Sequence, residues 1–304
     1  MSTIRYIKRN QIDTLAWDRT VEQATLSLPY AYSWVLDLLC EEWDGLVKGD
    51  YEAVMPLPFN RKLLGFKQVY QPYYIQQLGV FSESMLSATD IQAFQLAIPG
   101  SFRKVHYPFN ESNPPPALTE RFNLVLDLQR SYEEIHQGYN RSGKRHLRKW
   151  KAEHRFSINE LAVTDVTELY VEQLKQKVRL SAQVLQTWPQ VMEKALLNGK
   201  GLVAAVHYGE ELGAAGFFWT NQGRIINPFG ASTDAGRDYQ SMRVLLDALI
   251  EHHAQKATAF DFEGSSIPSI ATFFQSFGPE KKPYPFYHRS SFPYSLLDRY
   301  RTSK

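Results

Sequence analysis

The chain has one cysteine, Cys40, in 304 residues. A single thiol excludes a disulfide framework and a cysteine-based zinc site. Its place in Trp34-Val-Leu-Asp-Leu-Leu-Cys40 reads as a buried small hydrophobe rather than as a nucleophile. Long apolar runs are missing too: none approaches the roughly 18 residues that a membrane-spanning helix needs. Residues 1–10 alternate charged and apolar side chains and show no signal-peptide core, so a cytoplasmic protein is expected. Charge of one sign is also lacking, with 34 Lys+Arg against 32 Asp+Glu and a net charge of +2. That balance excludes a disordered polyionic tail and a general coat for nucleic acid. No H-x-x-x-H, Walker loop or G-x-S-x-G occurs, and the adjacent His252 and His253 point apart on a helix and cannot chelate one metal together. Neither a metal nor a tightly bound cofactor is expected.

What is present is an ordinary globular content of 43% hydrophobic residues with many aromatics, 13% of the chain. Tyrosines cluster at Tyr70-Gln-Pro-Tyr73-Tyr74 and Tyr284-Pro-Phe-Tyr287, which suits a wide cleft or a large core. At ~150 residues per domain the length predicts two domains.

The pattern of apolar positions and turn residues predicts a strand at 4–7 and helical stretches over 13–42 broken near Pro29. A hairpin follows, turning at Gly49-Asp50 and ending at Pro56 and Pro58. Then come a basic turn over 60–65, a strand at 68–81, a helix from Thr89-Asp90 to Pro99 and strands at 102–109 and 122–128, with the loop 110–116 between them. The second half repeats that order. Helical segments near 131–153, 164–179 and 189–197 precede a hairpin, 201–208 with 211–220, turning at Gly209-Glu210. A strand at 224–232, a helix at 239–253, a strand at 257–263, a short helix before Phe277-Gly278 and a last strand at 284–289 complete it. Setting Tyr51-Glu-Ala-Val against Glu211-Leu-Gly-Ala, Leu78-Gly-Val against Phe229-Gly-Ala, and Val105-His-Tyr-Pro against Phe260-Asp-Phe-Glu gives offsets of 160, 151 and 155. A near-constant offset predicts a duplicated unit. The expected fold is α/β with mixed sheets of the α+β kind, in two similar domains, 1–135 and 136–304, the last strand being free to return to the first.

Four stretches in this order resemble the Fem-type (FemAB-like) peptidyltransferases and their acyltransferase relatives, which carry tandem GNAT-type domains. Phe260-Asp-Phe-Glu-Gly-Ser265 followed by Ile270-Ala-Thr-Phe-Phe-Gln-Ser-Phe-Gly278 resembles the closing portion of that family. Asn140-Arg141 and Lys144-Arg-His-Leu-Arg-Lys149 resemble its basic helix entering the second domain. Gly213-Ala-Ala-Gly-Phe-Phe218 with Gly230-Ala-Ser232 resembles its central hairpin and third strand, and 51–58 with 71–79 the matching first-domain pieces. The resemblance implies transfer of an acyl or aminoacyl group, from a coenzyme A thioester or an aminoacyl-tRNA, to a small-molecule or peptide amine held between the halves. Two departures stand out. The Gln/Arg-x-x-Gly-x-Gly/Ala loop that holds the coenzyme A pyrophosphate in GNAT enzymes is replaced by Thr233-Asp-Ala-Gly236-Arg-Asp, with one glycine and an acidic residue. No long helical arm with heptads is present. A binding protein of the same fold with a degenerate donor site is therefore the second expectation.

Arg141, Lys144, Arg145, Arg148, Lys149, Lys151 and Arg155 put seven positive charges in fifteen positions, opposed only by Glu153. On a helix Arg141, Arg145, Arg148 and Arg155 share one face, which reads as a phosphate-binding ridge or as a solvated basic face. Asp261 and Glu263 alternate with Phe260 and Phe262, so both carboxylates face one side of a strand. One of them is a candidate general base, the other reading being a helix cap or a partner for arginine. On the helix over 239–253, Met242, Leu245, Leu246, Leu249 and Ile250 form a core stripe, while Arg243 and Asp247 are spaced for an intrahelical pair. His207 reads as structural. Asn227 and Ser232, which bracket Gly230, and Tyr239 are substrate-binding candidates beside the donor, and Tyr73, Gln76 and Gln77 are candidates from the first half.

Overall fold

The structure is a computed structural model that describes residues 3–114, 119–174, 182–263, 267–296 and 298. In chain order the elements are β1 (Ile4–Lys8), α1 (Thr14–Gln23), α2 (Ser33–Leu39), β2 (Glu42–Lys48), β3 (Ala53–Lys62), β4 (Phe66–Val69), β5 (Phe81–Ser82), α3 (Ala88–Ala97), β6 (Phe102–Pro108) and β7 (Thr119–Asp127). They continue as α4 (Tyr132–Gln137), α5 (Arg141–Trp150), β8 (His154–Ile158), α6 (Val163–Leu174), α7 (Ala182–Leu197), β9 (Gly201–Tyr208), β10 (Glu211–Asn221) and β11 (Arg224–Ser232). The last are α8 (Asp234–Asp238), α9 (Ser241–His253), β12 (Ala259–Asp261), α10 (Pro268–Gln275) and β13 (Glu280–Ser290). Residues 115–116, 175–179 and 264–265, which the sequence places in a loop, a helix and the closing motif, lie outside the described residues.

The chain forms two units, Met1–Arg121 with Pro283–Lys304, and Phe122–Lys282. The division falls within β7, before the expected position 135, and so places α4 in the second unit. In the first unit β1, β2, β3 and β4 pair antiparallel in sequence, β4 pairs β6 in parallel, and β13 closes the sheet antiparallel to β6. The second unit repeats this strand for strand: β8, β9, β10 and β11 antiparallel, β11 parallel to β12, and β7 antiparallel to β12. The duplication is thus visible in the pairing itself. The sixth strands are exchanged along the chain, because β7 follows β6 but pairs with β12, and β13 follows β12 but pairs with β6.

Strands β9 to β11 are buried almost without interruption because both faces of the sheet are covered. Leu202, Ala204, Val206, Phe218, Ile225 and Phe260 pack with Leu245, Leu246 and Leu249 of α9. The alternate residues Phe217 and Phe229 meet Trp188 of α7 and Tyr170 of α6. In the first unit Trp17 and Trp43 lie 5.2 Å apart, and the indole N–H of Trp17 donates to Ala31 O at 2.9 Å. Cys40 is buried there, and burial raises its thiol well above the ordinary range.

Several expected boundaries change. β3 runs through Pro56 and Pro58 to Lys62 instead of ending at the prolines. The strand expected over 68–81 is two short pieces, β4 and β5, separated by residues 70–80, several of whose backbone groups bond to side chains. Asn110 Nδ2 donates to Leu78 O at 2.7 Å, Asn113 Nδ2 to Val80 O at 3.0 Å, and Val80 N to Asn113 Oδ1 at 2.8 Å. Gly79 turns this loop at φ 98°, where a Cβ would collide with Asn113 Oδ1. Pro189 lies inside α7 rather than opening a helix.

Two imidazoles carry a pH prediction. Burial, then Arg121, His288 and Lys104, push His106 down to about 4, against a small opposing effect of Asp298. Burial, then His252 and Lys256, push His253 down to about 4. Both folded pKa values lie below the unfolded value, so this stability is present above pH ~6.5 and is lost as pH falls towards 4. A loss of about 1 kcal/mol per histidine, after solvent screening, is expected in urea unfolding followed across that window, and H106N should remove part of it.

Candidate functional site

In the second unit the parallel pair β11 and β12 holds register for three residues, Arg224 with Ala259, Ile225 with Phe260 and Ile226 with Asp261. Then the strands part. Phe262 N still donates to Leu124 O of β7 at 2.9 Å, whereas on the β11 side Pro228 has no N–H with which to continue the ladder. On the other edge β11 bulges against β10, with Phe217 opposite Phe229 but Trp219 opposite Ile226. Asn227 sits in this bulge, 6% exposed, and its Oδ1 is buried without a hydrogen-bond partner. An orphan acceptor of this kind calls for a donor, so Asn227 suits an N–H of a ligand rather than the carbonyl.

The two candidate carboxylates are separated by the structure. Asp261 is fully buried in an ion pair with Arg224, whose Nη2 and Nε lie 2.6 and 3.0 Å from Asp261 Oδ2. Its other oxygen accepts from Glu263 N at 3.0 Å. Asp261 is therefore the arginine-paired alternative, and the general-base expectation narrows to Glu263. Glu263 does not continue the strand alternation: β12 stops at Asp261, and Glu263 adopts a left-handed φ of 49° while remaining 5% exposed. Positive φ at a non-glycine residue is a local cost that concentrates at functional sites.

The equivalent parting in the first unit, after Val69 and Val105, is filled. Leu78 N donates to Pro108 O and Gly79 N to Tyr107 Oη, both at 3.1 Å, so residues 70–80 bridge to β6 and β5. Gln77 belongs to this bracing, its Oε1 accepting from Glu111 N at 2.9 Å. Tyr73 stands exposed at the loop surface, and Gln76 Oε1 is buried without a partner. Among the described residues, a bridge of this kind occurs in the first repeat.

Beyond the bulge, Ser232 lines a small cavity of about 240 Å³ with Gly230, Ala231, Tyr170, Arg237 and Met242. Tyr239 is not among its walls. It stacks on Tyr208 at 3.9 Å and meets Trp150 edge-on at 5.2 Å. The loop before α9 has become helical: Gly236 N donates to Thr233 Oγ1 at 3.0 Å, Arg237 N to Thr233 O at 3.1 Å and Gln240 N to Arg237 O at 3.2 Å. Gly236 is required by packing, since a Cβ there would collide with Gly213 O.

Arg141, Arg145 and Arg148 of α5 are brought together on one wall of a cavity of about 1290 Å³, with Lys144 and Lys151. Arg155 is not part of this row, because α5 ends at Trp150 and Arg155 lies in β8, paired with Glu160 at 3.0 Å. Tyr132 and His136 of α4 complete the wall, and their Tyr-x-x-x-His spacing, which puts both rings on one face of a helix, is the sequence signal for it. Arg243 and Asp247 do not pair with each other. Arg243 donates to Ser276 Oγ at 2.7 Å, and the fully buried Asp247 accepts from Lys151 at 2.6 Å and from Tyr132 Oη at 2.9 Å. Burial alone would lower Lys151, but Asp247, Glu251 and Tyr132 outweigh it and hold the ammonium above its ordinary range. His207 approaches Arg155 at 3.5 Å. No cluster of three or more His, Cys, Asp or Glu with metal-binding geometry occurs among the described residues.

Among solved structures the chain is similar to FemX, with a TM-score of 0.66 at 10% identity, covering 96% of this chain and 99% of that one. The chain has a Fem-like tandem GNAT fold. It is also similar to the C-terminal domain of a protein described as a lysylphosphatidylglycerol synthetase from Agrobacterium fabrum, with a TM-score of 0.53 at 10% identity over 93% and 96% of the two chains. A tandem GNAT protein from the clavulanic acid biosynthesis pathway matches with a TM-score of 0.50 at 12% identity over 96% and 99%. No protein-family model and no curated protein sequence matches the chain. No described helix is long and apolar enough to cross a membrane.

Proposed function

We propose that this protein is an N-acyltransferase that moves an acyl or aminoacyl group from an activated donor, an acyl-coenzyme A or an aminoacyl-tRNA, to an amine of a small molecule or peptide. The observation that carries the reading is the parting of β11 and β12 beside the orphan Asn227 Oδ1 and the constrained Glu263. In this reading Asn227 Oδ1 accepts an N–H of the attacking amine and fixes its direction. The amine nitrogen bonds to the donor carbonyl carbon, Glu263 takes the proton that the nitrogen sheds, and the carbon–sulfur or carbon–oxygen bond breaks. The proton then passes to the departing thiolate or ribose oxygen. The fold shared with FemX and with a tandem GNAT protein supports the reaction class.

A second reading, a binding protein without transfer, is favoured by the amides between Thr233 and Gln240 that are already bonded and so do not offer themselves to a pyrophosphate. An assay that supplies acetyl-coenzyme A or charged tRNA with a mixed amine pool, and reads free thiol and uncharged tRNA, separates the two. Amine-dependent release of either is expected. Release of neither would leave the binding protein.

A further inference from the structure

We infer that the cavity between α4 and α5 is a binding site for a ligand that carries several phosphate groups in a row, separate from the parting of β11 and β12. The cavity is concave and, at about 1290 Å³, larger than the 300–1000 Å³ of a usual small-ligand pocket. Arg141, Arg145 and Arg148 recur on successive turns of α5, so their side chains stand about 5–6 Å apart along one wall. No carboxylate lines the cavity among the described residues. Lys151, which also lines it, is neutralised by Asp247 and Glu251, and Lys144 Nζ donates to Gln137 O at 2.8 Å. The three arginines form no ion pair among the described residues.

This arrangement is poor for the helix taken alone. Like charges at i, i+4 repel, and Arg141 occupies the first turn of α5, where the helix dipole disfavours a cation and no acidic residue offsets it. A solvated basic face would spread its charges over a convex surface. Here they converge on a hollow, and the helix that carries them is anchored by Leu147 in the core and, one residue past its end, by Lys151 on Asp247. Guanidinium forks grip phosphate oxygens in pairs, and three forks in a row match several adjacent phosphates better than a single anion. The rings of Tyr132 and His136, 5.6 Å apart in the lining of the same cavity, offer a platform for a base attached to such a chain.

The test is calorimetric titration of inorganic triphosphate into the full chain at low salt, repeated with R145E/R148E, with R145Q/R148Q and with the charge-matched control K62E/K281E. Saturable one-to-one binding is expected, weakened about 100-fold by the glutamates and about 10-fold by the glutamines, and unchanged in the control. The glutamine pair keeps helix-forming residues, and an unaltered melting midpoint shows that it folds. Coenzyme A and bulk tRNA are then titrated in competition with triphosphate. Displacement by the first assigns a soluble phosphate ester, and by the second a nucleic-acid backbone. Absence of triphosphate binding, or binding that neither arginine variant weakens, overturns the inference. The transferase reading is untouched by that result, because its assay reads product formation at the parting of β11 and β12.

Discussion

Replacing Asp261 with alanine is expected to lower folding stability by about 3–5 kcal/mol. The carboxylate is fully buried against Arg224, which is itself only 8% exposed, and the pair ties the first residue of β11 in the ladder to the last residue of β12. Removing the acid leaves a guanidinium charge in a dry environment and also strips Glu263 N of its acceptor. The cost comes from keeping the guanidinium buried without this carboxylate more than from the lost attraction. A double substitution, R224M/D261L, removes both charges and should recover most of the loss. Urea unfolding of the three proteins measures this. A loss below about 1 kcal/mol for D261A, the range of an exposed pair, would show that Arg224 is held by other contacts.

The second large effect concerns Glu263. E263Q keeps the shape of the side chain but cannot take a proton, so turnover in amine acylation is expected to fall about 100- to 10,000-fold. A structural role alone would change the melting midpoint and leave the form of the pH–rate profile as it was. A proton-accepting role predicts that the acid limb of the wild-type profile, where rate rises as one group ionises, disappears in E263Q. Retention of that limb with full turnover would remove Glu263 from the chemistry and leave Asn227 as a positioning group only.

Much of the architecture is legible in the sequence because both repeats carry strong local signals. Glycine turns fix the hairpins at Gly49 and Gly209, and the stripe from Met242 to Ile250 marks α9. The arginines of α5 fall on one face because helix geometry alone decides which of them are neighbours. Where structure and sequence pattern differ, the cause is shared. Alternation over Phe260, Asp261, Phe262 and Glu263 predicts two acids on one face, but Glu263 turns to a left-handed φ with its N–H on Asp261 Oδ1, which breaks the alternation. The spacing of Arg243 and Asp247 permits a pair on the helix, yet each finds a better partner on another element, Ser276 and Lys151. Residues 70–80 look like a strand by composition, and the amides of Asn110 and Asn113, thirty and more residues away, hold them in a loop.

The sequence by itself determined the duplicated α/β plan, the core-facing stripes and the concentration of positive charge on α5, because propensity, periodicity and turn chemistry act over a few residues. Tertiary structure alone decided that Asp261 pairs with Arg224, that residues 70–80 bridge the parting in the first repeat, and that the basic face lines a hollow. Those outcomes depend on contacts between residues far apart in the chain, where burial sets the cost of a charge or an orphan acceptor and no local pattern records the partner.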